Sequence, residues 1–81
     1  MKITQIDRDL ILIVRNRRIE KGFKLINVAN AIGMSESNYC KIERGLKPLS
    51  IGKLIQICAF IGIPLSQLMI EHEIKFLHSL E

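Results

Sequence analysis

Apolar side chains recur three or four positions apart in stretch after stretch of this chain, and a glycine closes four of the stretches: Gly22, Gly33, Gly45 and Gly62. That period belongs to helices with one buried face, and glycine is the residue on which such helices most readily end. The pattern predicts helices over about 7 to 21, 25 to 32, 36 to 44 and 51 to 61, and a fifth that begins near Pro64 and runs close to the end. Ser35 and Ser50 stand where a hydroxyl would cap the third and fourth helices. Pro64 suits the first turn of the fifth, where a missing N–H costs nothing. No alternating run bounded by hairpin dipeptides occurs, and no internal repeat, low-complexity tract or linker. The expected fold class is all-α, a compact five-helix domain.

Only Gly33, Met34 and Ser35 separate the second and third predicted helices, so these two must cross at a steep angle, as in a helix-turn-helix. Val28, Ala29 and Ile32 form the inward stripe of the second helix, with Ala29 small where its neighbour approaches, and Tyr39 and Ile42 face inward from the third. Glu36, Ser37, Asn38 and Lys41 are left on the outward face or its margin. These side chains can reach base edges in DNA. From this segment alone, a merely solvated helix face explains them equally well.

Charge changes the picture modestly. Twelve Lys and Arg against eight Asp and Glu give a formal net charge of +4, which favours an anionic partner. The longest apolar runs, LILIV at 10 to 14 and ICAFIGIPL at 57 to 65, fall short of the roughly 18 residues that cross a bilayer, so no membrane partner is expected. The start, MKITQIDRD, carries acidic residues where a secretory signal needs an apolar core, and a cytoplasmic location is expected. Cys40 and Cys58 are too few for a disulfide framework and read as small hydrophobes in a reducing compartment. A zinc site joining them to His72 and His78 fails on the cysteine spacing, so no metal is expected. Phosphate loops, HExxH and nucleophile elbows are lacking, which argues against an enzyme, and neither a cofactor nor a small-molecule ligand is indicated.

The segment from 14 to 68, VRNRRIEKGFKLINVANAIGMSESNYCKIERGLKPLSIGKLIQICAFIGIPLSQL, resembles the lambda-repressor and Cro-like helix-turn-helix family. The matching pieces are EKG at the end of the first helix, Ala29, Gly33, KIERG at the end of the third, LSIGKLIQI and IGIPLSQL. The resemblance implies a DNA-binding domain over residues 1–68 whose third helix lies in the major groove of double-stranded DNA. By that comparison Glu36, Ser37 and Lys41 fall on base-reading positions, with Asn38 beside them. Glu36 can accept from the amino group of cytosine or simply complement the positive end of its helix. The resemblance also implies an ion pair between Arg18 and Glu43, structural in role and adding little net stability where desolvation offsets attraction.

At the start of the second helix the chain departs from the family, which has a hydroxyl cap and then a glutamine that grips a phosphate. Here stand Lys24 and Leu25. Leucine cannot donate a hydrogen bond, so an exposed Leu25 needs another use, and Lys24, Arg44 and Lys47 become the candidate phosphate contacts. Beyond residue 68, Met69, Ile70, Ile74, Phe76, Leu77 and Leu80 make two adjacent helical stripes. One stripe suffices to pack on the chain's own domain, so residues 69–81 read as an extension through which a homodimer forms. A core-only reading of the same residues stays open.

The resulting expectation is a sequence-specific transcriptional regulator that binds an inverted-repeat operator as a dimer. Its layout is similar to the small controller proteins of restriction-modification systems. The alternative is a protein-interaction module on the same fold, antitoxin-like or a regulatory partner, using Leu25 and the apolar tail.

Overall fold

The computed structural model of the chain describes residues 4–79, the side chains of residues 75, 76, 78 and 79 excepted. Its helices are α1 (Gln5–Glu20), α2 (Leu25–Ala31), α3 (Glu36–Glu43), α4 (Ile51–Ile61) and α5 (Leu65–Ser79). No strand occurs among the described residues. The expected hydroxyl caps are present: Ser35 Oγ accepts from the Asn38 N–H at 3.1 Å, and Ser50 Oγ from the Lys53 N–H at 3.2 Å.

α1 starts earlier than the apolar period indicates. Thr4 Oγ1 accepts from the Asp7 N–H at 3.1 Å while the Asp7 carboxylate accepts from the Thr4 N–H at 3.1 Å, so two otherwise free donors are satisfied reciprocally. Pro64 corrects the expectation at the other end. Its carbonyl accepts from the N–H groups of Gln67 (3.0 Å) and Leu68 (3.2 Å), so it caps α5 instead of lying in its first turn.

The first four helices end in the same way. An N–H reaches back five residues in each case: Phe23 to Arg18 (3.1 Å), Met34 to Ala29, Leu46 to Lys41 and Ile63 to Cys58 (each 2.9 Å). This closure requires a left-handed residue just before the donor, and the four glycines supply it. The requirement is most consequential at Gly33 (φ 70°), because its turn sets the angle between α2 and α3.

Every helix contributes to one core. Val14 from α1, Val28 and Ala29 from α2, Tyr39 from α3, Ile57 from α4 and Leu68 from α5 are fully buried. Removing a large apolar side chain of this kind from water contributes roughly 1.5–3 kcal/mol. α2 packs on α3 and α4, and α1 packs on α3, α4 and α5. Lys53 ties α4 to the end of α2 by donating from Nζ to the Ile32 carbonyl at 2.6 Å. Along the seam between α1 and α5, Arg17 pairs with Glu71, and His72 Nε2 lies 3.6 Å from the Asp9 carboxylate. α5 runs without a break through residues 68 and 69, and among the described residues no single helix is long and apolar enough to cross a membrane.

Leu25 is a second correction. It is half-buried and packed against the core, because it stands three, four and seven residues before the inward Val28, Ala29 and Ile32 and shares their face. Cys58 is buried in the core, where desolvation pushes its thiol pKa up, whereas Cys40 is only half-buried.

Two glycine substitutions should move stability in opposite directions. Nothing crowds a Cβ at Gly33, so Gly33→Ala suffers only from the left-handed backbone, a loss of about 1–2 kcal/mol. Gly52 is helical and equally uncrowded, so Gly52→Ala should gain about 0.4–1 kcal/mol. Denaturant unfolding followed by circular dichroism measures both.

Candidate nucleic-acid interface

The Gly33 turn and the Ser35 cap present α3 with one side in the core and the other in solvent. Tyr39 and Ile42 are buried, while Glu36, Ser37 and Lys41 are exposed. Ser37 and Lys41 are one helical turn apart, so their side chains project from neighbouring positions on that outer side. Glu36, the first residue of α3, lies where a carboxylate complements the positive end of a helix.

Asn38 is half-buried, and its Oδ1 accepts from Lys47 Nζ at 3.4 Å. A candidate base-reading residue and a candidate phosphate contact are thereby brought together, with Lys47 leaning back over α3 from the following loop. Arg44 is exposed at the end of α3, continuing the line of Lys41. Lys24 is exposed at the start of α2. No hydroxyl caps the helix there, and the bond that forms is a different one: Asn27 Oδ1 accepts from the Lys24 N–H at 2.8 Å.

α3 is anchored from behind by a buried ion pair. Arg18 donates from Nε to one Glu43 carboxylate oxygen at 2.7 Å and from Nη2 to the other at 3.0 Å. Its Nη1 donates to the Phe23 carbonyl at 2.6 Å. Side-chain exposure is 10% for Arg18 and 4% for Glu43, so neither charge is left to water. The pair thus joins α1, the loop to α2 and the last turn of α3. Tyr39 lies beside it. Among the described residues none hydrogen-bonds its buried hydroxyl, and burial, and after it the nearby Glu43 carboxylate, push the phenol pKa up.

Sequence reasoning missed two arginines on α1. Arg8 and Arg15 are exposed and lie seven residues apart, hence on one side of the helix. Arg15 shares a groove with Leu25, Cys40 and Arg44, and Arg8 shares the next one with Arg44, Gly45 and Leu46. Helical spacing carried the signal: Arg15 is one turn before Arg18, which was already assigned to face α3.

On the α5 side, Met69, Ile70, Ile74 and Leu77 are exposed, the last three more than half. The Phe76 side chain and Leu80, which belong to the same expectation, lie outside the described residues.

Comparison with known proteins bears on this arrangement. A helix-turn-helix family model matches residues 14–68. Over 60 residues the chain is 27% identical to the cryptic phage CTXphi transcriptional repressor RstR of Vibrio cholerae, a match covering 74% of this chain and 54% of that protein. The chain therefore spans about half the length of the curated relative it matches. The fold is similar to a crystal structure of the clp gene regulator ClgR from Corynebacterium glutamicum, with a TM-score of 0.82 at 24% identity over 98% of this chain and 84% of that one. A second ClgR crystal structure gives a TM-score of 0.76 at 26% identity, over 89% of this chain and 92% of that one.

The buried pair and its neighbour should respond differently to mutation. Glu43→Ala leaves Arg18 charged and unmatched, an expected loss of about 3–5 kcal/mol. Tyr39→Phe removes a hydroxyl that makes no bond, and stability should stay within about 1 kcal/mol of wild type or rise. Equilibrium unfolding in denaturant checks both, and a loss at Tyr39→Phe rivalling that at Glu43→Ala would contradict the assignment.

Proposed function

Because the chain belongs to the lambda-repressor and Cro-like helix-turn-helix family, we propose that it is a sequence-specific DNA-binding transcriptional regulator in the cytoplasm, with no catalytic step of its own. The observation that carries this reading is the outer side of α3, where Glu36, Ser37 and Lys41 are exposed on a helix fixed by a tight turn at one end and a buried ion pair at the other. α3 lies in the major groove. Its polar side chains read base edges, and Lys24, Arg44 and Lys47 hold the phosphates to either side. Repression is the regulatory sense that the name of the Vibrio cholerae relative supports.

The regulator acts as a homodimer through the outer side of α5. Met69, Ile70, Ile74 and Leu77 are exposed together on one helix, and a second copy would cover them. Twofold symmetry then brings two copies of α3 to an inverted repeat whose half-site centres are about 10 base pairs apart. An apolar last helix beside a helix-turn-helix is also what supports the role of a restriction-modification controller protein. Leu25 no longer supports the rival reading as a protein-docking module, because it is packed against the core.

Reading and gripping separate by mutation. Lys41→Ala should cost about 1–3 kcal/mol at the cognate site and relax preference at one base pair. Lys47→Ala should weaken binding to all sequences alike and lower the salt slope by about one unit. Titration of matched and single-mismatch duplexes at several salt concentrations decides the matter; an equal loss on every duplex for Lys41→Ala would remove base reading from that residue.

The dimer is tested by sedimentation. Wild type should sediment as a dimer at micromolar concentrations, and replacement of Ile74 and Leu77 by glutamate should give folded monomers. A monomeric wild type contradicts the interface.

A further inference from the structure

One groove between α1, the start of α2 and the end of α3 is bounded by Arg15, Arg18, Leu25, Cys40, Glu43 and Arg44. Its charges do not cancel. Glu43 is matched by Arg18 through two hydrogen bonds, and the third guanidinium nitrogen of Arg18 is engaged by the Phe23 carbonyl. That leaves Arg15 and Arg44, both exposed, neither with a carboxylate partner among the described residues. Two guanidinium groups thus border one concave surface whose lining carboxylate, Glu43, is already matched by Arg18. Leu25 adds an apolar wall whose side chain offers no donor, so the charged donors that face an anion drawn in are the arginines.

The placement identifies the anion. Arg44 stands three residues after Lys41, so the groove continues the outer side of α3 at its last turn. A helix lying in the major groove has the sugar-phosphate backbone passing its margins, and planar guanidinium forks match phosphate oxygens two at a time. We propose that this groove seats one phosphodiester of the DNA backbone, held between Arg15 and Arg44. Arg15 acts from α1, an element outside the helix-turn-helix, and fixes how far α3 can roll in the groove. This seat rests on the DNA-binding reading above.

The test uses the full chain and duplexes in which one backbone phosphate at a time is replaced by an uncharged methylphosphonate. Neutralising one position should weaken wild type several-fold, while Arg15→Ala, weaker from the start, shows no further loss at that same position. Arg15→Ala should also lower the salt slope by about 0.9, the contribution of one phosphate contact. Arg15→Lys should keep the slope and recover only part of the affinity, because it restores the charge without the fork. Arg15 is exposed and makes no hydrogen bond among the described residues, so the melting temperature of each variant should match wild type. Lys21→Ala removes the same charge outside the groove and should leave the methylphosphonate pattern intact. If the pattern of Arg15→Ala is wild-type, or Lys21→Ala erases the same position, the seat is overturned while DNA binding stands. If wild type itself shows no salt-dependent binding to DNA, the functional reading falls and the seat with it.

Discussion

A full charge taken into a small protein must be met by another, and Arg18 imposes that condition on this fold. Its guanidinium reaches from the last turn of α1 to where the chain turns toward α2 and to where α3 finishes, and its bonds go to both. The attraction adds little net stability once desolvation is set against it. Its effect is geometric: a two-pronged bond between Arg18 and Glu43 tolerates little rotation of α3 about its own axis. At the far end of α3 the Gly33 turn and the Ser35 hydroxyl fix the starting angle. Between these two anchors the outer side chains of α3 are held by their backbone and need no order of their own.

The surface divides along the same lines. Toward α3 it is polar and cationic, with Arg8, Arg15, Lys41, Arg44 and Lys47 exposed. Along α5 it is apolar, with Ile70, Ile74 and Leu77 exposed. α1 separates the two, since one of its sides packs on α3 and another on α5. The cross-links between α1 and α5, Arg17 with Glu71 and His72 with Asp9, therefore join the apolar surface to the helix that also carries the ion-pair anchor.

What could be read from the sequence depended on how local each cause was. The glycine ends, the serine caps and the inward Val28, Ala29, Tyr39 and Ile42 are set by residues within a turn or two of one another, and period and residue type are enough to find them. The Thr4 and Asp7 cap was equally local but was passed over, because the apolar period starts after it. Leu25 shows a different failure: its spacing from Val28, Ala29 and Ile32 placed it on the buried face, and the expectation of a DNA-facing residue at that position overrode the period. The bond between Lys47 and Asn38 depends on the path of the loop after α3, and the one between Lys53 and the Ile32 carbonyl and the groove that joins Arg15 to Arg44 depend on helices meeting across the fold. No single stretch of sequence states those distances.

The position of α1 at the hub has a consequence for synthesis. Its packing partners are α3, α4 and α5, none of them adjacent in the chain, whereas α2 finds α3 and α4 close behind it. Translation therefore produces α1 before any of its packing partners and adds α5 after the others. Until α5 is made, Ile13, which shares a hollow with Glu71 and Ile74, has only part of its cover, and a nascent chain carrying it offers an apolar side chain to whatever else is near. Closure of the domain is then a long-range event, in which helices from the two ends of the described chain meet.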